Sequence, residues 1–549
     1  VTPESGTPRF DTPDIDSDID SDIDSDIDPP GIDTPQFDVA VVGYGPVGQL
    51  LSILLGRRGW KVFVAERWPS PFRLPRAVHF DAEIARLLQD VGLRSDVSPV
   101  VEPYDDLYEW RNARGEVLLA VDWRGRGDSG WHTANHFSQP ELEDALDHLV
   151  SGLPAVTVRR GLEVTGIVQE AEGVRLTATA SHSGESVEVT ARYAVGCDGA
   201  NSFVRRAAGI ETTDLGFFFD WLIIDVVPHT PMTFTPRAFQ LCDPARPTTV
   251  TPSGPGRRRW EFMVLPGEDP AELNTLGKAV ELLGPWGIDD SNAKIERHTV
   301  YRFQARWAAR WRSGRVLIAG DAAHEMPPFA GQGMCSGLRD AANLAWKLDA
   351  VLAEVAGDGL LDTYGTERAP HVRDLVEYSM MLGGVICVTD PDEAALRDRR
   401  MTSDRARRGE TVPPPHPRLG PGALRHDDTR TGRPSVQGTV RFGDAEGLAD
   451  DVLGRGWRLV VWEDDHRLWP AVHESPVPVR VLPLADMGDG VRVEDVGGVY
   501  AAWREALTTD GCPPAAVLVR PDDYVHSVLR DAGDVEAALR QVAAAYAGR

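Results

Sequence analysis

One short stretch constrains this chain more than any other: Phe37–Val42 (FDVAVV) runs directly into Gly43-Tyr44-Gly45-Pro46-Val47-Gly48. The apolar run reads as a buried strand, and glycines spaced G-x-G-x-x-G read as the turn leaving it. Val47, Leu50, Leu51, Leu54 and Leu55 then recur at helical spacing, the apolar stripe of a packed helix, and Gly59 supplies its stop. Lys61–Ala65 (KVFVA) is a second strand with Glu66 at its tip. In this order the segments form one βαβ unit, whose crossover should be right-handed. Gly43 permits the tight turn, Gly45 lets backbone approach a pyrophosphate, and Gly48 allows helix and strand to pack closely. The helix N-terminus offers free N–H groups and a positive dipole end to the anion. Glu66 is placed to accept a ribose hydroxyl, and an acid there favours the unphosphorylated adenosine ribose of NAD or FAD.

Farther along, Ala191–Val195 leads into Cys197-Asp198-Gly199 and Val316–Ala319 into Gly320-Asp321. Residues 211–305 instead alternate, as in Trp221–Val227 and Trp260–Val264, which predicts strands of a different, half-exposed sheet. A helix is expected from Gly331 to about Val355, with Leu338, Ala341, Ala342, Ala345 and Leu348 on one face. Residues 404–436, rich in Arg, Pro and Gly, read as a linker. Beyond them Trp457–Trp462 and Ala515–Val519 are strand-like and Val535–Tyr546 is helical, giving a small separate α/β domain. The expected order is an acidic tail (1–36), a discontinuous dinucleotide-binding domain (37–210 and 300–403), an inserted β-sheet domain (211–299), the linker, and a C-terminal domain (437–549).

The first 36 residues hold a tandem Asp-Ile-Asp-Ser repeat over Asp14–Asp28. Like charges at that density repel and little apolar surface offsets chain entropy, so a solvated tail is expected. Its spacing lacks the turn glycine and terminal Glu of an EF-hand loop. The whole chain has 549 residues, a formal charge of −27 and 42% hydrophobic residues. That suffices for buried cores but lacks the cation clusters of a nucleic-acid or polybasic membrane binder. Its five cysteines lie far apart without a CxxC pair, which argues against a disulfide scaffold or zinc site and for a reducing interior. The histidines lack ligand spacing, so no metal is expected. The uncharged, mostly apolar run Tyr378–Thr389 is too short to cross a bilayer, and the acidic N-terminus does not read as a secretion signal. The expectation is a soluble cytoplasmic protein, monomeric or homodimeric, with no nucleic-acid or membrane partner.

GYGPVG at Gly43–Gly48, CDGANSFVRR at Cys197–Arg206 and GDAAHEMPPFAGQGMCSGLRDAANLAWKL at Gly320–Leu348 together resemble the single-component FAD-dependent aromatic hydroxylases of the p-hydroxybenzoate hydroxylase superfamily. PRAVHFDAE (Pro75–Glu83), SQPELE (Ser138–Glu143), and CDPARPTT with GRRRWEFMVLPGE within Cys242–Glu268 resemble its 3-(3-hydroxyphenyl)propionate hydroxylase-like branch. The resemblance spans roughly residues 37–400 and implies an α/β fold: a Rossmann-type FAD-binding domain, an inserted β-sheet substrate domain and a thioredoxin-like C-terminal domain. It also implies bound FAD, and NADPH or NADH docking transiently, since only one dinucleotide unit is evident. A flavin C4a-hydroperoxide made from O2 would hydroxylate a small aromatic or polyketide-like substrate.

By the same resemblance, Gly43, Gly45, Pro46, Gly48 and Glu66 hold the ADP half of FAD, with Arg67 beside it and Arg76 reaching the pyrophosphate. Gln139 approaches the flavin side, Asp198 and Gly199 serve FAD and nicotinamide, and Gly320 and Asp321 serve the ribityl chain. Pro328, Gly331, Gly333, Met334 and Cys335 surround the flavin edge. His79 and His136 are candidate phenol-deprotonating bases, with Pro328 near the reacting centre, and Phe239, Gln240, Cys242 and Phe329 are candidate substrate walls. His324 is expected to hold a loop. The last domain lacks CxxC, Cys512 standing alone before Pro513-Pro514, which favours a structural or subunit-contact role over disulfide exchange. The cofactor motifs do not separate hydroxylation from Baeyer–Villiger or epoxidising chemistry on the same fold. A flavin-binding regulatory protein is the rival of another class, while the Trp-x-Trp-x-Ile-Pro segment of flavin halogenases is missing.

Overall fold

The computed structural model describes residues 36–71, 76–408, 411–424, 428–463, 468–475, 477–485 and 492–547. The expected tail, apart from Gln36, and Pro75 lie outside them. The glycine-motif strand, Gln36–Val42, runs parallel between Ser186–Gly196 and Val62–Glu66. Val316–Ile318 extends this sheet on one side and Val156–Arg160 on the other, and an antiparallel hairpin, Leu162–Gln169 and Val174–Ala180, joins it through Ser186–Gly196. The continuous apolar run of the first strand follows from burial on both faces: Val39, Ala40 and Val41 are buried.

Helix Pro46–Gly56 packs against helix Gly333–Leu352, which starts after Gln332 rather than at Gly331. The latter was expected to bury one face, yet Cys335–Leu348 is buried all round. Its polar residues are neutralised where they lie. Arg339 pairs with Asp81 and Glu83, Asp340 with His324 and Arg368, and Lys347 with Glu367. A buried charge is tolerated only when partnered in this way.

The second sheet is larger than its expected 211–299. Its order runs His324–Glu325, Ala293–Ala308, Thr212–Pro228, Arg258–Met263, Thr248–Pro252, Ala238–Cys242, Leu107–Asn112, Val117–Asp122. Three strands therefore come from inside the expected dinucleotide-binding segments: Leu107–Asn112, which pairs in parallel with Ala238–Cys242, its neighbour Val117–Asp122, and His324–Glu325. Exposure is uneven across it: Arg258–Met263 and Thr248–Pro252 are buried throughout, while Ala293–Ala308 and the first half of Thr212–Pro228 are largely half-buried or exposed. One face packs on helices Pro270–Leu273 and Leu276–Leu283 through Leu222, Ile224, Trp260 and Phe262, and the other closes over a cavity.

The C-terminal domain has a four-stranded sheet, ordered Val479–Pro483, Trp457–Val461, Ala516–Val519, Val525–Leu529, with helix Ala532–Tyr546 against it. It is thioredoxin-like in its parallel pair continued by an antiparallel pair. It is not separate in its packing. Trp457, Leu459, Val461 and Tyr546 share one apolar cluster with the dinucleotide-binding domain, and Trp346 meets Trp457 at 5.9 Å between ring centroids. Arg86 with Asp450, and Arg520 with Glu367, are ion pairs buried across the junction. The expected linker is likewise embedded: Leu419, Ala423, Leu424 and Val436 are buried, and Val412 bridges to Val121. Sequence spacing hid these contacts because their partners lie hundreds of residues apart. Among the described residues no helix is long and apolar enough to cross a membrane, and no His/Cys/Asp/Glu group is arranged to hold a metal.

Candidate active site

The glycine turn opens onto a cavity of about 600 Å³ lined by Gly43, Tyr44, Gly45, Glu66, Arg67 and Arg76, among others. The three glycines divide their work there. A Cβ on Gly43 would lie 2.4 Å from the Cys197 carbonyl oxygen, and one on Gly48 2.2 Å from that of Gly43, whereas one on Gly45 would meet nothing within 4 Å. Gly43 and Gly48 thus serve close packing, and Gly45 leaves open the space a phosphate backbone contact needs. Gly48 does not line the cavity. Glu66 is held by two backbone donors, Tyr44 N at 2.8 Å and Trp68 N at 2.9 Å, which fixes its carboxylate at the cavity wall.

A second cavity of about 270 Å³ adjoins the first, the two sharing Gly45, Arg76, Cys197, Gly199 and Tyr301. Pro46, Gln139, Asp321, Pro328, Gly331, Gly333 and Met334 line it, so residues scattered from 45 to 334 converge on one space. Gln139 Oε1 accepts from the N–H groups of Arg76 (3.1 Å) and Ala77 (2.7 Å), pinning that loop. Gly320, at φ +62°, sets the turn that presents Asp321 and packs on Val47 without lining the cavity. Asp198 lines the 600 Å³ cavity while its carboxylate accepts from Ser202 Oγ (2.5 Å) and Val204 N (3.0 Å) at the start of a short helix; Gly199, at φ +77°, lines both cavities beside it. Three expected contacts are corrected, those of Cys335, Phe239 and Cys242, none of which lines either cavity. Cys335 is buried away from the cavity, its thiol directed at the carbonyls of His79 and Gly331 and pushed up in pKa by burial. Phe239 and Cys242 are absent from the lining as well.

The register explains those last two. Gln240, Thr249, Glu261 and Ile223 form one cross-strand row facing the cavity, and Thr251, Arg259 and Asp225 form the next. Phe239 is one residue out of step, so it points to the opposite core with Val250 and Trp260. Cys242 lies farther along its strand, buried in the cluster around Trp110. Burial pushes the Glu261 carboxyl above its usual range, and Arg259 is held by Asp225 at 2.7 Å. Gln240 donates to Tyr108 Oη and accepts from Thr249 Oγ1.

Both candidate bases line this cavity. His136 Nδ1 faces the Val78 carbonyl at 3.1 Å and His79 Nδ1 the Gly331 carbonyl at 3.4 Å. Only an N–H satisfies a carbonyl, so each Nδ1 carries the proton and each Nε2 is an acceptor. Both Nε2 atoms are buried and have no hydrogen-bond partner among the described residues. Burial lowers both imidazole pKa values, His136 the more, since His79 also faces it. His79 stacks on Trp123 at 4.5 Å and Tyr108 stacks on the same indole at 4.5 Å. His324, bonded to Asp340 at 2.8 Å, holds its loop. Tyr108, Trp123, Thr249 and Glu261 escaped the sequence reading. The alternation of Arg259-Trp260-Glu261 carried a signal for one face, but nothing local tied residues 108 and 123 to it.

The fold and the paired cavities define an FAD-binding enzyme whose enclosed aromatic chamber adjoins the cofactor cradle. Residues 36–379 match the FAD binding domain family model and residues 432–545 the HcaD C-terminal domain. The chain belongs to the first of these, the FAD-dependent aromatic hydroxylases of the p-hydroxybenzoate hydroxylase superfamily. It is 37% identical over 529 residues to a probable NADH-specific resorcinol 4-hydroxylase of Rhodococcus jostii (strain RHA1), covering 94% of this chain and 97% of that one. It is 35% identical to a 3-(3-hydroxy-phenyl)propionate/3-hydroxycinnamic acid hydroxylase of Mycobacterium sp. (strain JLS), covering 89% of each. The solved structure of aklavinone-11 hydroxylase with FAD and aklavinone aligns with a TM-score of 0.73 at 25% identity, over 92% of this chain and 99% of that one. The flavin-dependent monooxygenase PieE shares the fold, with a TM-score of 0.77 at 22% identity over 93% and 99%.

Proposed function

We propose that this enzyme hydroxylates a small, single-ring phenol, with NADH or NADPH docking transiently beside its FAD. One observation supports the reading: two neutral imidazoles, each with a buried and unpartnered Nε2 acceptor, stand in the wall of a chamber lined by aromatic rings. FAD, when bound, accepts hydride from the nicotinamide and activates O2. The chain does the rest. Gly43, Gly45, Pro46, Glu66, Arg67 and Arg76 hold the adenosine and pyrophosphate side, while Asp321, Gly331, Gly333 and Met334 bound the chamber where the ring system ends. The N-terminus of helix Gly333–Leu352 favours negative charge on the ring facing it.

His79 and His136 accept the substrate O–H at Nε2, and taking that proton raises the electron density of the ring. Tyr108, Gln240 and Thr249 orient a second polar substituent through their shared hydrogen bonds. The stacked Tyr108–Trp123–His79 wall excludes water. Resorcinol and 3-hydroxyphenylpropionate, named for the relatives, are the first candidates. The test is the ultraviolet band of resorcinol bound to the oxidised holoenzyme. It should be shifted from that of free neutral resorcinol by the hydrogen bond to Nε2, and His79→Ala with His136→Ala should abolish the shift. An unshifted band in the wild type would remove the histidines from this role.

A further inference from the structure

Behind the aromatic wall lies a third cavity, of about 500 Å³, that the cofactor and the chemistry leave unused. Its floor includes Trp110, Trp123 and Phe329, and its roof Pro415, Trp503 and Leu507 from the embedded linker and the C-terminal domain. It shares His79, Tyr108, Trp123 and Phe329 with the 270 Å³ chamber, so one layer of side chains separates the two. The other side of that chamber is the side it shares with the cradle, at Gly45, Arg76 and Gly199, which are among the residues that would hold the dinucleotide. An aromatic molecule entering a loaded enzyme then needs another door.

We propose that this third cavity is the antechamber through which the phenol enters and its product leaves, passing the wall at Trp123 and Phe329. The inference rests on the hydroxylase reading and gives the C-terminal domain a task, roofing the passage. The chemistry of the passage suits an uncharged aromatic ring. Its buried cations are neutralised in place, Arg86 by Asp450 and Arg339 by Asp81 and Glu83, so ring stacking and burial of apolar surface supply the attraction. Phe329 stands in a short turn, Pro328–Ala330, that ends at Gly331 with φ +65°, and it meets Trp221 and Phe303 only edge-on. Its ring can swing without breaking a hydrogen bond.

Ala506 and Thr429 line the antechamber and are exposed, so a tryptophan at either narrows the passage without touching the core. Resorcinol and 3-hydroxyphenylpropionate binding to oxidised holoenzyme would be followed by stopped-flow flavin absorbance in wild type, Ala506→Trp and Thr429→Trp. An obstructed passage slows association and dissociation alike. At least one variant should lose about ten-fold in both rates while Kd stays within about two-fold. On-rates equal to wild type in both variants, or a changed Kd at unchanged on-rate, would overturn the passage while leaving the hydroxylase reading intact. Absence of any flavin perturbation by either phenol in the wild type would instead sink that reading, and the passage with it.

Discussion

Gly45 and Gly48 sit in one turn, yet substitution should break them differently. Gly48→Ala drives a methyl into the Gly43 carbonyl and should cost about 1–3 kcal/mol of stability, read by denaturant unfolding. Gly45→Ala adds a methyl that meets no protein atom, so the chain should fold normally and retain FAD less well, read by the flavin-to-protein absorbance ratio. The histidines make a second residue-scale prediction. Burial holds both below their ordinary value of 6.5, so they stay neutral in the folded protein to lower pH than in the unfolded chain. Their contribution to stability is complete above pH 6.5 and is lost as pH falls, because the unfolded state then binds more protons. The acid limb of kcat/KM should accordingly lie below pH 6.5. His136→Ala should lower kcat by about 10²–10⁴-fold with flavin retained. Glycine roles were legible in the sequence because spacing alone sets them. The Asp198 carboxylate was not, since a helix cap four residues on competes for it.

At the scale of elements, the central helix Gly333–Leu352 shows why periodicity gave only half the answer. The stripe from Leu338 to Leu348 is real, but the opposite face is buried too, and its charges are matched by Asp81, Glu83, Glu367 and Arg368 from elsewhere. Glu367 binds Lys347 at 2.7 Å and Arg520 at 2.8 Å, all three side chains fully buried. Glu367→Gln leaves Lys347 without its carboxylate and Arg520 with Asp522 alone, and should cost about 3–5 kcal/mol, measured by urea unfolding of the holoenzyme. Wild-type stability in that variant would show that the cluster is not held by charge. Strand register gives the companion lesson. Gln240 and Phe239 are neighbours, and only pairing with Thr249 and Val250 decides which of them faces the chamber. Alternation reveals that two faces exist, while the identity of the wet one depends on partners that no local pattern contains.

Across the whole molecule, the βαβ unit, the inserted sheet and the thioredoxin-like end were each readable, since each is built from local runs. Their union was not. The shared core around Trp346, Trp457 and Tyr546 and the buried Arg86–Asp450 and Arg520–Glu367 pairs join residues far apart in the chain. Residues 36–547 should therefore unfold in one calorimetric transition with flavin release, and a separate transition for residues 437–547 would contradict that union. The claim on which function depends is that this FAD enzyme places one atom of O2 on a phenol. The direct measurement is mass spectrometry of the product formed from resorcinol or 3-hydroxyphenylpropionate with NADH under oxygen-18 gas. One heavy oxygen atom should appear on the ring for each coupled turnover. NADH oxidised wholly to hydrogen peroxide with both phenols unchanged, or label entering only from water, would contradict it.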